Sequence, residues 1–312
     1  MISLLLTVAL PVASPAALVL RAGAAPEALG VSRDDESSPE GPGSLAVDAD
    51  GRTFVLDAVH ARVAVLGKGG ALEANVPLPS DTVEDIALTP AGDLVALDRL
   101  VARRVYVIAP NGSLVTSAPV EGAGVDDGGL VTALFADADG VWLEVLHGAQ
   151  VRVLDAALRE DAARTVRPGM PFGGEYVRLR KVGDLAQVLF FDARGALVAD
   201  GVVRFSSLLE LSGLVAQAGK AAAKQGGELW VAGHELVQQT PGETPTRDAV
   251  VVVRLSRAAD GRLVERERRE RRASPEFVPL KQLVPAGDGK VAHLYVDTRV
   301  TRGAAAAEVT SW

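Results

Sequence analysis

Three glycines set the frame of this chain. Gly51, Gly92 and Gly140 follow one another at 41 and 48 residues, and each closes a turn between two short apolar runs. In the first unit Leu45-Ala46-Val47 and Thr53-Phe54-Val55-Leu56 flank Asp48-Ala49-Asp50-Gly51. Both runs are too short for helices and the second is rich in β-branched and aromatic side chains, so they read as strands. Asp and Gly adopt the backbone angles of a tight reversal, which makes the connection a hairpin. Arg62 to Leu66 starts a third strand and Leu72 to Leu78 a fourth, so the unit is an antiparallel meander. The order returns around Thr89-Pro90-Ala91-Gly92 and again around Asp137-Ala138-Asp139-Gly140.

A four-stranded sheet buries its faces only against further copies of itself, and a period of about 40 to 50 residues is that of propeller blades. The chain has 312 residues. Six units of roughly 46 residues fill about 276 of them, and the expected fold is therefore an all-β propeller of six blades, each of four antiparallel strands, over 42–312. Residues 17–41 form an N-terminal segment, in which Ala17 to Ala22 can supply an outer strand that closes the ring. The later blades are less regular: Leu208 to Lys224 carries helix-favouring residues, but Gly213 and Gly219 argue for a strand near Leu214 and a longer connection. The run Arg262 to Arg272 interleaves Arg with Glu, which suits an exposed outer strand whose charges pair with one another.

The segments GPGSLAVDADGRTFVLDAVHARVAVL and VEDIALTPAGDLVALDRLVARRVYVIAPNG resemble the NHL and SMP-30-like six-bladed propellers, over about residues 40 to 155. In SMP-30-like lactonases the Glu of a Glu-Gly-Pro motif at the start of the first blade serves as a metal ligand, so the resemblance implies a divalent metal at Glu40. The family's companion Asn-Gly-Leu motif has no match, since the asparagines are Asn75 and Asn111.

Residues 1–20 carry no charge, and an apolar core followed by small residues reads as a secretory signal over 1–16 with cleavage after Ala16. The expected location is periplasmic or secreted, with no stable membrane span, because Pro11 and Pro15 interrupt a stretch barely long enough to cross. A net charge of −8 leaves no broad cationic surface for nucleic acid. The absence of cysteine excludes disulfides, thiolate metal sites and a cysteine nucleophile.

Candidate site residues follow from the repeat. Asp57, Asp98 and Glu144 end the second strand of their units and are expected on the ligand face. Asp57 with Arg62, and Asp98 with Arg103 or Arg104, form the pairs in which a carboxylate caps the loop. His60, His147 and His234 fall seven to nine residues past a turn glycine in the first, third and fifth units, on one face, and with Glu40 they are the metal-ligand candidates. The enlarged loop Val237 to Asp248 belongs to the same face. The expected function is binding or scaffolding outside the cytoplasm, recognising a protein, peptide or glycan rather than a small-molecule substrate. The alternative is a metal-dependent lactonase-type hydrolase, and the third reading a structural component of a cell-envelope assembly.

Overall fold

A computed structural model describes residues 17–33, 38–217, 227–237, 246–258, 260–274, 277–287 and 289–311. It contains six sheets of four antiparallel strands. β1 (Ala17–Arg21) precedes the first complete sheet, which is β2 (Leu45–Val47), β3 (Thr53–Asp57), β4 (Arg62–Leu66) and β5 (Leu72–Pro77). The second sheet is β6 (Asp85–Leu88), β7 (Leu94–Asp98), β8 (Arg104–Ile108) and β9 (Leu114–Pro119). The third is β10 (Val131–Asp137), β11 (Gly140–Val145), β12 (Gln150–Asp155) and β13 (Val166–Arg167). The fourth is β14 (Met170–Phe172), β15 (Glu175–Val182), β16 (Leu185–Phe191) and β17 (Leu197–Arg204). The fifth is β18 (Leu208–Gln217), β19 (Glu228–Val237), β20 (Thr246–Arg257) and β21 (Leu263–Arg272). β22 (Leu283–Pro285), β23 (Val291–Val296) and β24 (Ala305–Ser311) form the last sheet, whose fourth strand is β1.

The first strands of neighbouring sheets lie side by side around a central channel: β2 contacts β6 and β22, β6 contacts β10, and β18 contacts β14 and β22. The molecule is thus a six-bladed propeller. The inner strands begin on one face, called here the entrance face, and the loops joining second to third strands return to it. β1 pairs with β24 from Ala17↔Thr310 to Arg21↔Ala305, so the last blade is built from both ends of the described chain.

The turns form where the sequence pattern places them. Gly51 and Gly92 have φ of 81° and 90°, the left-handed region that an L side chain enters at a cost, which is why glycine stands there. Alternate residues of each strand then point into the seams between blades. Val55, Ala64 and Leu66 pack on Leu294 and Val309 between last and first blades. Leu56, Val63 and Ile86 fill the next seam, and Val95, Leu97, Leu134 and Val141 the one after. Val188, Phe190 and Val231 join blades four and five, and Trp230, Val250 and Leu283 blades five and six. Each such Val or Leu contributes about 1.5–3 kcal/mol on burial. Arg167 of β13 is bound within blade three itself, 5% exposed at its side chain, with Nη1 2.6 Å from Asp137 Oδ2, Nε 2.7 Å from Gln150 Oε1, and its guanidinium 3.8 Å from the Trp142 ring.

β18 is a strand along its whole described length, and the connection 218–226 lies outside the described residues, so that part of the longer-connection expectation is not visible. The arginine-rich run is the outer strand β21, where Arg268 pairs with Glu265 at 2.9 Å and Arg269 with Glu267. No helix among the described residues is long and apolar enough to cross a membrane.

Candidate functional site

One ion pair ties blades together at the channel. Lys281, just before β22, extends across the axis, and its Nζ lies 3.0 Å from Asp85 Oδ1. The same ammonium donates to the carbonyl oxygens of Ile86 at 2.8 Å and Leu134 at 2.6 Å, which are channel-facing groups of β6 and β10. Asp85 is fully buried and also accepts from Ser44 Oγ at 2.6 Å and from Leu134 N at 2.8 Å. Four blades are joined here by hydrogen bonds to one charge pair. All three N–H groups of Lys281 are thereby engaged.

Beside this pair a cavity of about 380 Å³ opens on the entrance face. Its walls are largely apolar, with Phe135, Met170, Leu179 and Leu214 among them, and its polar rim is Arg99, Glu144, His147 and Glu210. Arg99 Nε pairs with Glu84 at 3.1 Å. Thr132 Oγ1 donates to Glu144 Oε1 at 2.9 Å and accepts from the backbone N–H of His147 at 3.0 Å. His147 Nδ1 is 3.5 Å from the same Glu144 oxygen, and this carboxylate raises the imidazole above its ordinary pKa.

The loop that carries His147 is strained. Gly148 N donates to Val145 O at 2.9 Å, and the two central residues, Leu146 and His147, have φ of 51° and 52°. Two positive φ values are the signature of a type I′ turn, which normally takes Asn-Gly because larger side chains crowd the backbone there. This turn presents Leu146, 65% exposed, and His147 beside the cavity.

The predicted site residues separate into two groups. Glu144 and His147 meet at the cavity rim. Asp57 and Asp98 are both fully buried and act inside their own loops. Asp57 accepts from Gly30 N at 2.9 Å, from Arg62 Nε at 2.9 Å and lies 2.8 Å from His60 Nδ1. Arg62 continues to the carbonyls of Pro26, at 2.8 Å, and Ala28, so this group ties the segment after β1 to the first blade. Asp98 accepts from Thr82 Oγ1 and from the backbone of Val101 at 3.0 Å and Ala102 at 2.8 Å. Both cap loops, but only Asp57 does so with its expected arginine: Asp98 pairs with neither Arg103, which meets Glu121 at 3.0 Å, nor Arg104, which donates to Ser117 Oγ at 2.7 Å, and neither carboxylate is offered to a ligand.

The four metal-ligand candidates are dispersed. Glu40 is exposed and held by a backbone bridge to Ser32, and His60 is bound to Asp57. His234 is not in a loop, because β19 runs on to Val237 and buries it, with Nε2 3.2 Å from Gln282 Oε1. Among the described residues no group of three or more His, Asp or Glu side chains is placed to hold a metal ion. Of the enlarged loop Val237 to Asp248, residues 238–245 lie outside the described residues.

Asp85, Ser44 and Lys281 were missed by sequence reasoning. Their signals are the acid pair Glu84-Asp85 heading the apolar run Ile86-Ala87-Leu88 and a lone lysine in Pro279-Leu280-Lys281-Gln282-Leu283, both of which read as ordinary strand ends.

No protein-family model matches the sequence, and no curated protein matches it. Among solved structures, hydrazine synthase of Kuenenia stuttgartiensis is similar at 15% identity over 72% of this chain with a TM-score of 0.49, and the chain spans 65% of that protein. A streptogramin B lyase is similar at 12% identity over 87% of this chain and 93% of its own, TM-score 0.45. Virginiamycin B lyase from Staphylococcus aureus is similar at 11% identity over 86% and 94%, TM-score 0.42.

Proposed function

We propose that this six-bladed propeller is a recognition protein of the periplasm or extracellular space, whose entrance face binds a protein or peptide. One observation carries the reading. Among the described residues the exposed large apolar side chains fall in two places: on the outermost strands, or on the entrance face, as Leu100, Val101, Leu146, Val182, Leu209 and Val278. Solvent-facing apolar residues gathered on one face of a rigid scaffold mark an interaction surface. The strained turn at Leu146–His147 supports the same reading, because backbone strain persists where a side chain must be displayed in a set position. The uncharged segment 1–20 supports a location outside the cytoplasm.

The test is selection from a displayed random-peptide library on the purified protein, with the double variant Val101→Asp and Leu146→Asp as comparison. Enriched peptides are expected to bind the variant at least tenfold more weakly while its thermal midpoint stays within a few degrees. No enrichment, or equal binding to the variant, overturns the reading.

A further inference from the structure

Blade four lacks half of its inner strand. β14 is three residues long and pairs only with Val177, Tyr176 and Glu175 of β15. β15 itself runs on from Arg178 to Val182, paired with β16 on one side from Arg178↔Leu189 to Val182↔Leu185. On its other side, among the described residues, no strand is paired with Arg178 to Val182. Where the missing half-strand would lie there is a cleft of about 510 Å³, bounded by Arg178, Arg180 and Lys181 of β15, by Leu146 and His147 of blade three, and by Glu210 and Leu211 of β18. It lies between blades three and four.

Five extended residues present about 17 Å of strand edge, and two or three of them direct both N–H and C=O outward. A sheet edge of this kind takes an extended peptide as an added strand, with backbone bonds supplying affinity and side chains supplying selection. Three of the five side chains on this edge are cationic, against the single carboxylate of Glu210 on the facing wall. Arg178 stacks 4.3 Å over the Phe191 ring and Arg180 donates to Gln187 Oε1 at 3.1 Å. Neither these two nor Lys181 stands in an ion pair among the described residues, although the chain as a whole has a net charge of −8. Leu146 and Leu211 add apolar wall between the charges, which suits a polypeptide with alternating side chains better than a uniformly hydrophilic anionic polysaccharide.

We propose that this slot receives an extended acidic peptide, which completes blade four by pairing with the edge Arg178–Val182. The inference rests on the recognition reading and gives that partner its chemistry. The partner segment alternates carboxylate and apolar residues, its carboxylates meet Arg178 and Arg180 on one face of the sheet, and its backbone replaces the missing half of the inner strand.

The test uses the full chain and three fluorescein-labelled peptides: Glu-Val-Glu-Val-Glu-Val, its Lys-Val counterpart, and the acidic peptide N-methylated at alternate amides. Fluorescence anisotropy is expected to show the acidic peptide binding at least tenfold more tightly than either of the others, with affinity falling as salt rises from 50 to 300 mM, since the contacting charges are exposed. The variant Arg180→Glu with Lys181→Glu, both at exposed positions, is expected to lose at least tenfold for the acidic peptide. Arg180→Gln with Lys181→Gln, which adds no repulsion, is expected to lie between. Equal binding of acidic and basic peptides, indifference to N-methylation or to both variants, or a tetragalacturonate that binds as well as the acidic peptide overturns the proposal. If library-selected peptides lose affinity on the Val101→Asp and Leu146→Asp variant yet tolerate N-methylation and the β15 variants, the recognition reading stands and the strand slot falls.

Discussion

Lys281 and Asp85 come from the sixth and second blades, and their 3.0 Å contact ties these two non-adjacent blades together at the channel. Lys281→Met would leave a buried carboxylate and two strand carbonyls without their cation. Breaking a buried pair from one side costs about 3–5 kcal/mol, and the loss is expected in equilibrium urea unfolding. The double variant Asp85→Asn with Lys281→Met is expected to recover at least about 1 kcal/mol of it, because no charge then remains unpaired.

Acid should weaken the seam between blades five and six. Burial, with His234 and Arg271 nearby, pushes the His293 imidazole down to about 3. Unfolded, the same group takes its proton near 6.5. The stability that its neutral form confers is therefore fully present above about pH 6.5 and is lost as pH falls from there toward 3, at up to about 1.4 kcal/mol per unit. Asp297, held at about 2 by its hydrogen bond to Arg299 and despite its burial, adds a second loss as pH falls below its ordinary 3.8 toward 2. Urea unfolding between pH 7 and 4 is expected to show the first slope, and His293→Gln to flatten it.

The turn at Leu146 and His147 trades stability for display. Asn and Gly accept positive φ more readily, so Leu146→Asn with His147→Gly is expected to raise stability by about 1 kcal/mol. It should also weaken peptide binding at the entrance face, a divergence read by pairing thermal unfolding with anisotropy. A variant that gains stability and keeps full affinity would separate the strain from recognition.

Arg62 holds the segment that leads from β1 into the first blade. Arg62→Met removes the donors to Pro26 O and Ala28 O and leaves the buried Asp57 with Gly30 N and His60 alone. A cost of about 2–3 kcal/mol is expected. Hydrogen exchange should rise first in β1 and β24, before the other blades are affected.

The fold was legible where one local rule repeats. In the first three blades an Asp-Gly or Pro-Ala-Gly turn between two apolar runs sets both the hairpin and its register, so strands and turn coincide in one short stretch. β14 escaped notice because Met170-Pro171-Phe172 is too short to stand out, whereas the strand near Leu214 was legible in β18 although Ala, Gln and Lys favour helix there, and its extent is decided by pairing with β19. Glu144 and His147 were legible from strand-end spacing. Asp57 and Asp98 share that spacing yet point into their own loops, since the same position serves capping in one blade and display in another. Asp85 and Lys281 stand 196 positions apart in the sequence and are joined only by ring closure, which no local pattern records.

That closure also orders events in time. Ala17 pairs with Thr310, so the first described strand made at the ribosome has its partner among the last. Contacts of such long sequence separation form late, because the entropy of closing the intervening chain is lost before any bond returns it. The five sheets made from consecutive strands can assemble as they are synthesised, whereas β1 must stay without its neighbour until β24 has emerged. The joining of β1 to β24 is therefore the step that turns an open arc of blades into a ring.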